Sequence, residues 1–243
     1  MLGGGQDGEV WRVNKTSLGR TFALKFLNNV DSDAKKLRFG REIQILKALH
    51  HQNIISLSDK GEARNPKSGD LVPYYVMEFL EAQAVDRLLA RTTPQQNWNL
   101  ITTCELFCQV TSAVAEIHKN NVSHGDIKPA NVLVVPLGDP VAKLTDFGFG
   151  LRSGDPIDKR EEYPSSSYRA PAGLSPKEAD IYRLGRTIRD CIAAARLSDA
   201  DTRRIEEELV TDLVERAPAV ELDEIRFRLD RLRREAYRKP YHC

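Results

Sequence analysis

The chain has 243 residues, and its 36 Lys and Arg side chains nearly balance its 35 Asp and Glu side chains. This length suits one or two packed lobes with a sizeable core. Near-neutral charge gives no indication of a broad basic surface for nucleic acid or for an anionic membrane, although a local basic groove is compatible with a neutral total. Its four cysteines lack the spacing of a disulfide framework, so we expect a cytoplasmic location. No apolar run is expected to span a bilayer, and the N-terminus has no signal-peptide pattern.

A glycine-rich segment opens the chain. Gly3, Gly5 and Gly8 have the spacing G-x-G-x-x-G, and Val10 follows them. Because glycine has no Cβ, such a backbone can close over phosphates and direct its N–H groups at them. The alternation from Val10 to Val13 predicts a strand after the glycines, which favours a β-hairpin lid over the strand-to-helix turn of a dinucleotide site. A glycine-rich flexible terminus is the alternative.

The next two segments contribute a lysine and a glutamate. Lys25 follows the stretch Phe22-Ala23-Leu24, where it is either an exposed strand lysine or a point cation that neutralises phosphate. From Asp33 to Leu49 the apolar positions have helical spacing, and Glu42 lies on this predicted helix. The apolar positions are Phe39, Ile43 and Leu46.

Residues 74–80 form a short apolar stretch that contains one acid, typical of a buried strand. Asp86 follows it and either caps a short helix from Arg87 to Arg91 or contacts a ligand. Leu100 to Lys119 carries one helical stripe of apolar residues, which predicts a long core helix. Cys104 and Cys108 lie on it one turn apart and are expected to be buried reduced thiols rather than metal ligands. The C-terminal tail has apolar residues at helical spacing and predicts two or three helices.

The richest segment runs from His124-Gly125-Asp126-Ile127-Lys128 to Asn131 and is followed by Asp146-Phe147-Gly148. Two short apolar stretches, 132–135 and 141–144, flank a turn-rich connection and predict a hairpin between the two motifs. This hairpin should bring Asn131 and Asp146 side by side. Their hard oxygen donors suit magnesium.

Taken in order, these motifs resemble the eukaryotic-like protein kinases, in which a G-x-G-x-x-G-x-V loop, a V-A-I-K lysine, an H-R-D-x-x-x-x-N loop and D-F-G occur together. The resemblance covers residues 2–185 and is closest to divergent or prokaryotic Ser/Thr kinases. It implies an α+β, bilobal fold with a small β-rich N-lobe (1–78) and a larger, mainly helical C-lobe (79–243) that is shortened after residue 185.

The resemblance also implies a reaction, the transfer of the γ-phosphoryl group of Mg-ATP to a Ser or Thr hydroxyl of a protein. Asp126 would orient that hydroxyl and take its proton, and Lys128 would hold the γ-phosphate. Lys25, paired with Glu42, would neutralise the α- and β-phosphates. The cofactor pair implied is ATP and Mg²⁺, and no nucleic-acid partner or membrane insertion is expected.

Further roles follow from the same resemblance. Asn131 and Asp146 would hold the magnesium ion. Met77 would be the gatekeeper beside the adenine, and the backbone from Glu78 to Leu80 would hydrogen-bond its edge. The implied ATP-binding residues are Gly3, Gly5, Gly8, Val10, Ala23, Lys25, Met77, Glu78, Leu80 and Asp86.

Four positions near the activation segment qualify the resemblance. Gly125 replaces the arginine that in many kinases docks a phosphate of that segment, which leads to the hypothesis that this chain needs no such phosphate. Ala172, after Pro171, replaces the glutamate of A-P-E, so an anchoring ion pair is missing. Ser165 aligns with a residue that touches the catalytic Asp and Lys and favours a Ser/Thr preference. Residues 180–185 resemble the D-x-W-S-x-G start of the next core helix. Asp180 in that helix would hydrogen-bond the backbone of residues 124–131, the catalytic loop of the resemblance.

Two other functions stay open. H-G-D is also typical of aminoglycoside and choline kinases, which phosphorylate small molecules; Lys128, Phe147 and the segment 168–171 argue against that class. A pseudokinase scaffold is the second alternative. Such chains usually lose the strand lysine or a magnesium ligand, and this chain retains both, although Gly125 and Ala172 depart from the pattern. The sequence gives no indication of oligomeric state.

Overall fold

A computed structural model describes residues 1–4, 8–16, 19–28, 32–91, 99–135, 140–155, 166–194, 198–215 and 220–238. Within these ranges the N-terminal part is built on one antiparallel sheet and the C-terminal part is mainly helical, as the α+β prediction required. The sheet's last strand in sequence ends at Glu78; the division into lobes after that residue stays a prediction. The predicted site residues Gly5 and Ser165 lie outside the described residues.

The N-terminal sheet has the strand order β1-β2-β3-β5-β4. Its strands are β1 (Gly3–Gly4), β2 (Gly8–Lys15), β3 (Arg20–Leu27), β4 (Leu57–Arg64) and β5 (Leu71–Glu78). Gly3 pairs with Val10, so β1 and β2 form an antiparallel hairpin at the glycine-rich segment, as predicted. Val10 pairs with Lys25, and Lys25 pairs with Tyr75. Because directly paired residues point to the same face of a sheet, these three side chains share a face.

Helix α1 (Asp33–Ala48) packs beside this sheet and ends one residue before the predicted boundary. The Ser32 side chain accepts a hydrogen bond from the N–H of Lys35 and caps the helix N-terminus. The predicted apolar positions of the helix are buried, and Glu42 on the same side is only 1% exposed. Helix α1 therefore holds a carboxylate inside the protein.

The C-terminal part contains α2 (Val85–Arg91), α3 (Leu100–Lys119), α4 (Pro176–Ala194), α5 (Asp199–Ile205), α6 (Thr211–Glu215) and α7 (Leu222–Arg238), with a π-helical turn (Glu206–Val210) between α5 and α6. The long helix has the predicted bounds and packs against α4 and α7. The tail's apolar rows are buried, apart from Leu222, which is partly buried. Two predicted boundaries were wrong: α2 begins at Val85 rather than Arg87, and α4 begins four residues before Asp180.

Five short strands lie near the junction of the two parts: β6 (Gln83–Ala84), β7 (Val122–Ser123), β8 (Val132–Val135), β9 (Val141–Leu144) and β10 (Leu151–Arg152). β8 and β9 pair antiparallel with Val132 opposite Leu144, which confirms the predicted hairpin. Next to this pair, the N–H of Thr145 donates to the carbonyl of Asn131 at 3.0 Å. The hairpin thus places the segments around Asn131 and Asp146 side by side.

In the described part of the chain, α3 is the one helix long and apolar enough to cross a membrane by length and composition, contrary to the expectation from sequence. Its apolar stripe, which includes Phe107, Val114 and Ile117, is buried inside the protein. A core helix of this kind passes the same test, so the finding is weak evidence for a membrane segment.

Candidate active site

A cleft of about 990 Å³ separates the N-terminal sheet from the catalytic-loop region. Most of the predicted site residues line it: Gly3, Gly8, Val10, Ala23, Lys25, Met77, Glu78, Leu80, Asp86, Asp126, Lys128, Asn131 and Asp146. Glu42 lies behind Lys25, whereas Pro171 and Asp180 do not line the cleft. A second, smaller cavity of about 560 Å³ lies between α3 and α7 and contains none of the predicted residues.

Lys25 joins the two parts of the protein. Its Nζ donates to both carboxylate oxygens of Glu42, at 2.9 and 3.0 Å, and to Oδ1 of Asp146 at 3.1 Å. Burial by itself would lower the pKa of Lys25, but the charges of Asp146 and Glu42 outweigh burial and raise that pKa well above its ordinary value. The cleft therefore carries a permanent cation at a fixed position.

Glu42 has a second partner that sequence reasoning missed. The hydroxyl of Tyr75 donates to Oε1 of Glu42 at 2.9 Å, and both side chains are buried. Burial raises the pKa of Glu42, and the positive charge of Lys25 opposes this rise. In the sequence, Tyr75 cannot be distinguished from the other residues of a buried apolar strand. Its contact with Glu42 depends on strand register, which local sequence does not reveal.

The catalytic-loop side chains form a compact network. Lys128 Nζ donates to Oδ2 of Asp126 at 2.6 Å. The amide nitrogen of Asn131 donates to the same oxygen at 2.9 Å and to the Asp126 carbonyl at 2.8 Å. A 3₁₀ turn (Pro129–Asn131) makes this short return possible. Because its amide nitrogen faces Asp126, the amide oxygen of Asn131 faces away from that carboxylate.

Asp180 fixes the backbone of this loop from below. Its carboxylate accepts hydrogen bonds from the N–H groups of His124 at 2.7 Å and Gly125 at 2.9 Å, and it lies 3.1 Å from Nε2 of His118. Burial alone would raise the pKa of Asp180, but the hydrogen bond and charge of His118, with the charge of Arg183, lower it. The loop is thus held by a buried carboxylate that stays ionised.

His124 is held in one neutral form. Its Nδ1 accepts the N–H of Asp126 at 3.2 Å, so the proton sits on Nε2, which faces the carbonyl of Thr145 at 3.1 Å. Its ring also contacts the ring of Phe147, with centroids 4.6 Å apart. Burial lowers the pKa of His124. The side chain therefore braces the catalytic loop against the segment that carries Asp146.

Gly125 has a backbone reason to be glycine. Its φ is +82°, and an added Cβ would lie 2.2 Å from the carbonyl oxygen of Phe149. A side chain at this position would therefore need both a left-handed backbone and a displacement of residue 149. The departure from H-R-D is consequently built into the packing of the loop against the following segment.

Asp146 also has an unusual backbone, with φ at +66° in a residue other than glycine. Such conformations cluster at functional sites. Its side chain is 44% exposed, and the charge of Lys25 lowers the pKa of Asp146. An ionised carboxylate therefore reaches into the cleft.

The residues at the far end of the cleft differ in part from prediction. The N–H of Glu78 donates to the Ser56 carbonyl at 3.1 Å, so only its carbonyl can serve an adenine. The Glu78 carboxylate accepts from Lys143 at 2.7 Å. Asp86 lies in the first turn of α2, where its Oδ1 accepts the N–H of Arg87 at 2.7 Å, and it also lines the cleft. Because Asp86 is the second residue of α2, it does not occupy the N-cap position that one sequence interpretation gave it. Its place on the cleft agrees with the other interpretation, a ligand contact.

The oxygen donors present fit a magnesium ion that arrives with a nucleotide. The carboxylate of Asp146 and the amide oxygen of Asn131 are hard ligands on the same cleft. Among the described residues there is no group of three or more His, Cys, Asp and Glu side chains that could hold a metal alone. Magnesium usually binds through one or two carboxylates together with substrate phosphates, and this donor set matches that habit.

Comparison with known proteins agrees with this geometry. The chain is 33% identical over 193 residues to serine/threonine-protein kinase PrkC of Bacillus subtilis, covering 76% of this chain and 28% of that protein. It is 30% identical to the probable serine/threonine-protein kinase PknB of Lactococcus lactis (76% and 29% covered), and 29% identical to cyclin-dependent kinase-like 2 of Oryctolagus cuniculus (83% and 35%). The chain thus spans about a third of the length of these curated relatives.

A family model described as the protein kinase domain matches residues 1–236, nearly the whole chain. The match includes the tail that resembled kinases only loosely by sequence. The chain belongs to the protein kinase family.

Proposed function

We propose that this chain is an ATP-dependent protein serine/threonine kinase. The observation that supports this most strongly is the position of Lys25, whose ammonium lies within 3.1 Å of both Glu42 and Asp146. The opposite wall of the same cleft carries Asp126 and Lys128. Lys25 and Asp146 are the charged groups needed for a magnesium-bound triphosphate, and Asp126 is a carboxylate suited to a hydroxyl. All three therefore face the same cleft.

The nucleotide would lie along this cleft. Val10 and Ala23 would cover one face of the adenine, and Leu133, which also lines the cleft, would support the other. The carbonyl of Glu78 would accept from the adenine amino group. Lys25 would then offset the charge of the α- and β-phosphates. Leu133 was not a predicted site residue, because nothing in a hairpin strand distinguishes it locally.

Magnesium would be held by Asp146 and Asn131 together with phosphate oxygens, and it would supply charge neutralisation of the triphosphate. In the described structure Asp146 is tied to Lys25, so nucleotide binding would place the two charges against phosphate and metal rather than against each other. In this scheme Asp126 is not a ligand of the metal ion. Its carboxylate would face the acceptor hydroxyl instead.

Phosphoryl transfer would proceed by positioning and charge. The acceptor oxygen forms a bond to the γ-phosphorus while the bond from that phosphorus to the β,γ-bridging oxygen breaks, and ADP leaves. Asp126 takes the hydroxyl proton, and Lys128, which is 2.6 Å from Asp126, offsets the charge on the moving phosphoryl group. A positioned base contributes about 10²–10⁴-fold in rate.

The acceptor class is tested with labelled ATP, a generic protein substrate and a panel of amino-alcohols offered to the same preparation. Label in protein Ser or Thr alone is the expected result. Label in an amino-alcohol alone would instead identify a small-molecule phosphotransferase. The names of the similar bacterial relatives, which are serine/threonine kinases, favour the first outcome.

A scaffold without catalysis is tested by nucleotide binding. Mg-ATP at about 100 times its Kd should raise the unfolding free energy by about 2.7 kcal/mol, because only the folded chain binds it. Lys25→Met should weaken this stabilisation. If Mg-ATP leaves the melting temperature of the unmodified chain unchanged, the kinase proposal fails and the scaffold gains support.

We further propose a cytoplasmic location for this domain and a protein plus ATP as its only partners in the reaction. The balanced charge and the free cysteines among the described residues support this. A fluorescent fusion that labels the cytoplasm evenly is the expected result. Retention in an oxidising compartment would contradict it.

A further inference from the structure

Helix α1 is joined to the segment that follows Asp146 by two polar contacts. Arg41 Nε lies 3.7 Å from Oδ2 of Asp155, and the same oxygen accepts the backbone N–H of Arg152 at 2.8 Å. The guanidinium of Arg152 reaches back and donates to the carbonyl of Gln44 at 2.8 Å. These four residues are here called the α1 clamp. One contact uses an arginine of the helix, and the other uses an arginine of the segment that follows Asp146.

Two packing contacts lie beside the α1 clamp. The guanidinium of Arg38 sits over the ring of Phe149, 5.1 Å from its centroid. Gly150 lies so close to Ile45 that an added Cβ would be 2.7 Å from its Cδ1 atom. Positions 38, 41 and 45 recur at i, i+3 and i+7, so one continuous face of α1 rests on residues 149–155.

Glu42 lies on this same helix, next to Arg41. A helix moves as a unit, so contacts that hold the Arg41 face against residues 149–155 also hold Glu42 close to Asp146, with which it shares Lys25 as a hydrogen-bond partner. The Glu42 carboxylate and the Lys25 ammonium are 2.9 Å apart. The Arg41 side chain is 11% exposed and that of Asp155 30% exposed, which makes their ion pair partly sheltered from solvent and counterions.

We propose that Asp155 and Arg152 are positioning residues, which hold α1 where Glu42 meets Lys25 without any phosphate added to the segment. The carboxylate of Asp155 already supplies a negative charge to Arg41 on α1, so this contact needs no phosphate. Gly125 agrees with this assignment, because the Phe149 carbonyl takes the space of a side chain there. The inference deepens the proposed kinase function and rests on it.

The test compares Asp155→Asn with a matched control. Asparagine keeps an oxygen for the N–H of Arg152 but offers no charge to Arg41. Asp33→Asn makes the same change on α1 itself, where Asp33 and Lys36 also lie 3.7 Å apart but are exposed. The readout is hydrogen exchange of the amides of residues 38–46 in the full, nucleotide-free chain. Arg41→Gln is the second variant if Asp155→Asn does not fold.

Exchange at residues 38–46 should accelerate about fivefold in Asp155→Asn or Arg41→Gln, the shift expected from losing a partly exposed ion pair of ordinary strength. Asp33→Asn should leave it unchanged. Phosphatase treatment of the unmodified chain should also leave it unchanged. Equal exchange in all variants, or faster exchange after phosphatase treatment, would overturn the assignment. This readout needs no catalysis, so it decides the α1 clamp even if the chain transfers no phosphate.

Kinetics then separate a positioning role from a general loss of stability. Asp155→Asn should lower kcat/KM for ATP about fivefold in the unmodified background and have no further effect in Glu42→Gln, because the α1 clamp acts through that carboxylate. Asp33→Asn should leave kcat/KM unchanged in both backgrounds. A full fivefold loss that persists in Glu42→Gln would contradict the proposed route. Absence of phosphoryl transfer in the unmodified chain would instead refute the kinase function itself.

Discussion

Asp180→Asn is the substitution that most sharply tests how the catalytic loop is held. The Asp180 side chain is fully buried, and its two oxygens accept the N–H groups of His124 and Gly125 at 2.7 and 2.9 Å. Asparagine has nearly the same shape, but it has one acceptor oxygen and one donor nitrogen. Whichever way the amide is turned, one buried backbone N–H must face another donor.

The magnitude follows from that count. An unsatisfied buried donor costs about 1–3 kcal/mol, and the remaining hydrogen bond loses the extra strength of a charged acceptor. We therefore expect the unfolding free energy to fall by about 3 kcal/mol, which for a chain of this size corresponds to roughly 6–12 °C in Tm. The phosphoryl-transfer rate should fall as well, because the same loop carries Asp126.

The assay is thermal unfolding at pH 7 and at acidic pH, with the exposed Asp33→Asn as the control for charge removal. Because the folded-state pKa of Asp180 is lowered, its stabilisation is present above the ordinary pKa of an aspartate, about 3.9, and is lost as pH falls through the folded value. The difference in Tm between Asp180→Asn and the Asp33→Asn control should therefore be smaller at acidic pH than at pH 7. A Tm within about 2 °C of that of the Asp33→Asn control at pH 7 would refute the reasoning.

Three further predictions concern neighbouring groups. Gly125→Ala should lower the unfolding free energy by at least about 1–2 kcal/mol from its left-handed φ alone, and urea unfolding with a loss under about 0.5 kcal/mol would contradict this. Because the pKa of buried His124 is lowered, the chain should lose stability as pH falls below about 6.5; His124→Asn should flatten that loss in pH-dependent melting, whereas exposed His50→Asn should not. Tyr75→Phe removes a donor from Glu42 and should reduce the unfolding free energy by about 1–2 kcal/mol, and unchanged stability would exclude that bond.

Local signals were sufficient for some elements. The bounds of α3 agree with prediction because a long apolar stripe begins directly after Asn99, whose side chain caps the helix. The start of α4 was missed although its signal was present: Ser175 and Glu178 exchange hydrogen bonds as a capping box, with Pro176 in the first turn. The D-x-W-S-x-G resemblance marks Asp180, which lies about one turn inside the helix rather than at its start.

The site residues that belong to sequence motifs were predictable. The contacts that depend on how strands and helices pack against each other were not. The resemblance to protein kinases implied that Lys25 and Asp146 act on the same Mg-ATP, and both side chains line one cleft. The bond from Tyr75 to Glu42 and the contact of Arg152 with α1 depend on how strand and helix dock, which no local pattern encodes. The glycine at 125 was noted as a departure, but its cause is the distant carbonyl of Phe149.

The most direct test of the central claim is the single-turnover rate of phosphoryl transfer from Mg-ATP to protein by Asp126→Asn. Asp126 lies 2.6 Å from Lys128 on the acceptor side of the cleft, so its loss should leave the Mg-ATP-induced rise in Tm intact while reducing the rate by about 10²–10⁴-fold. A rate within about threefold of the unmodified chain, well short of that range, would show that the reaction does not use this carboxylate and would contradict the proposed mechanism.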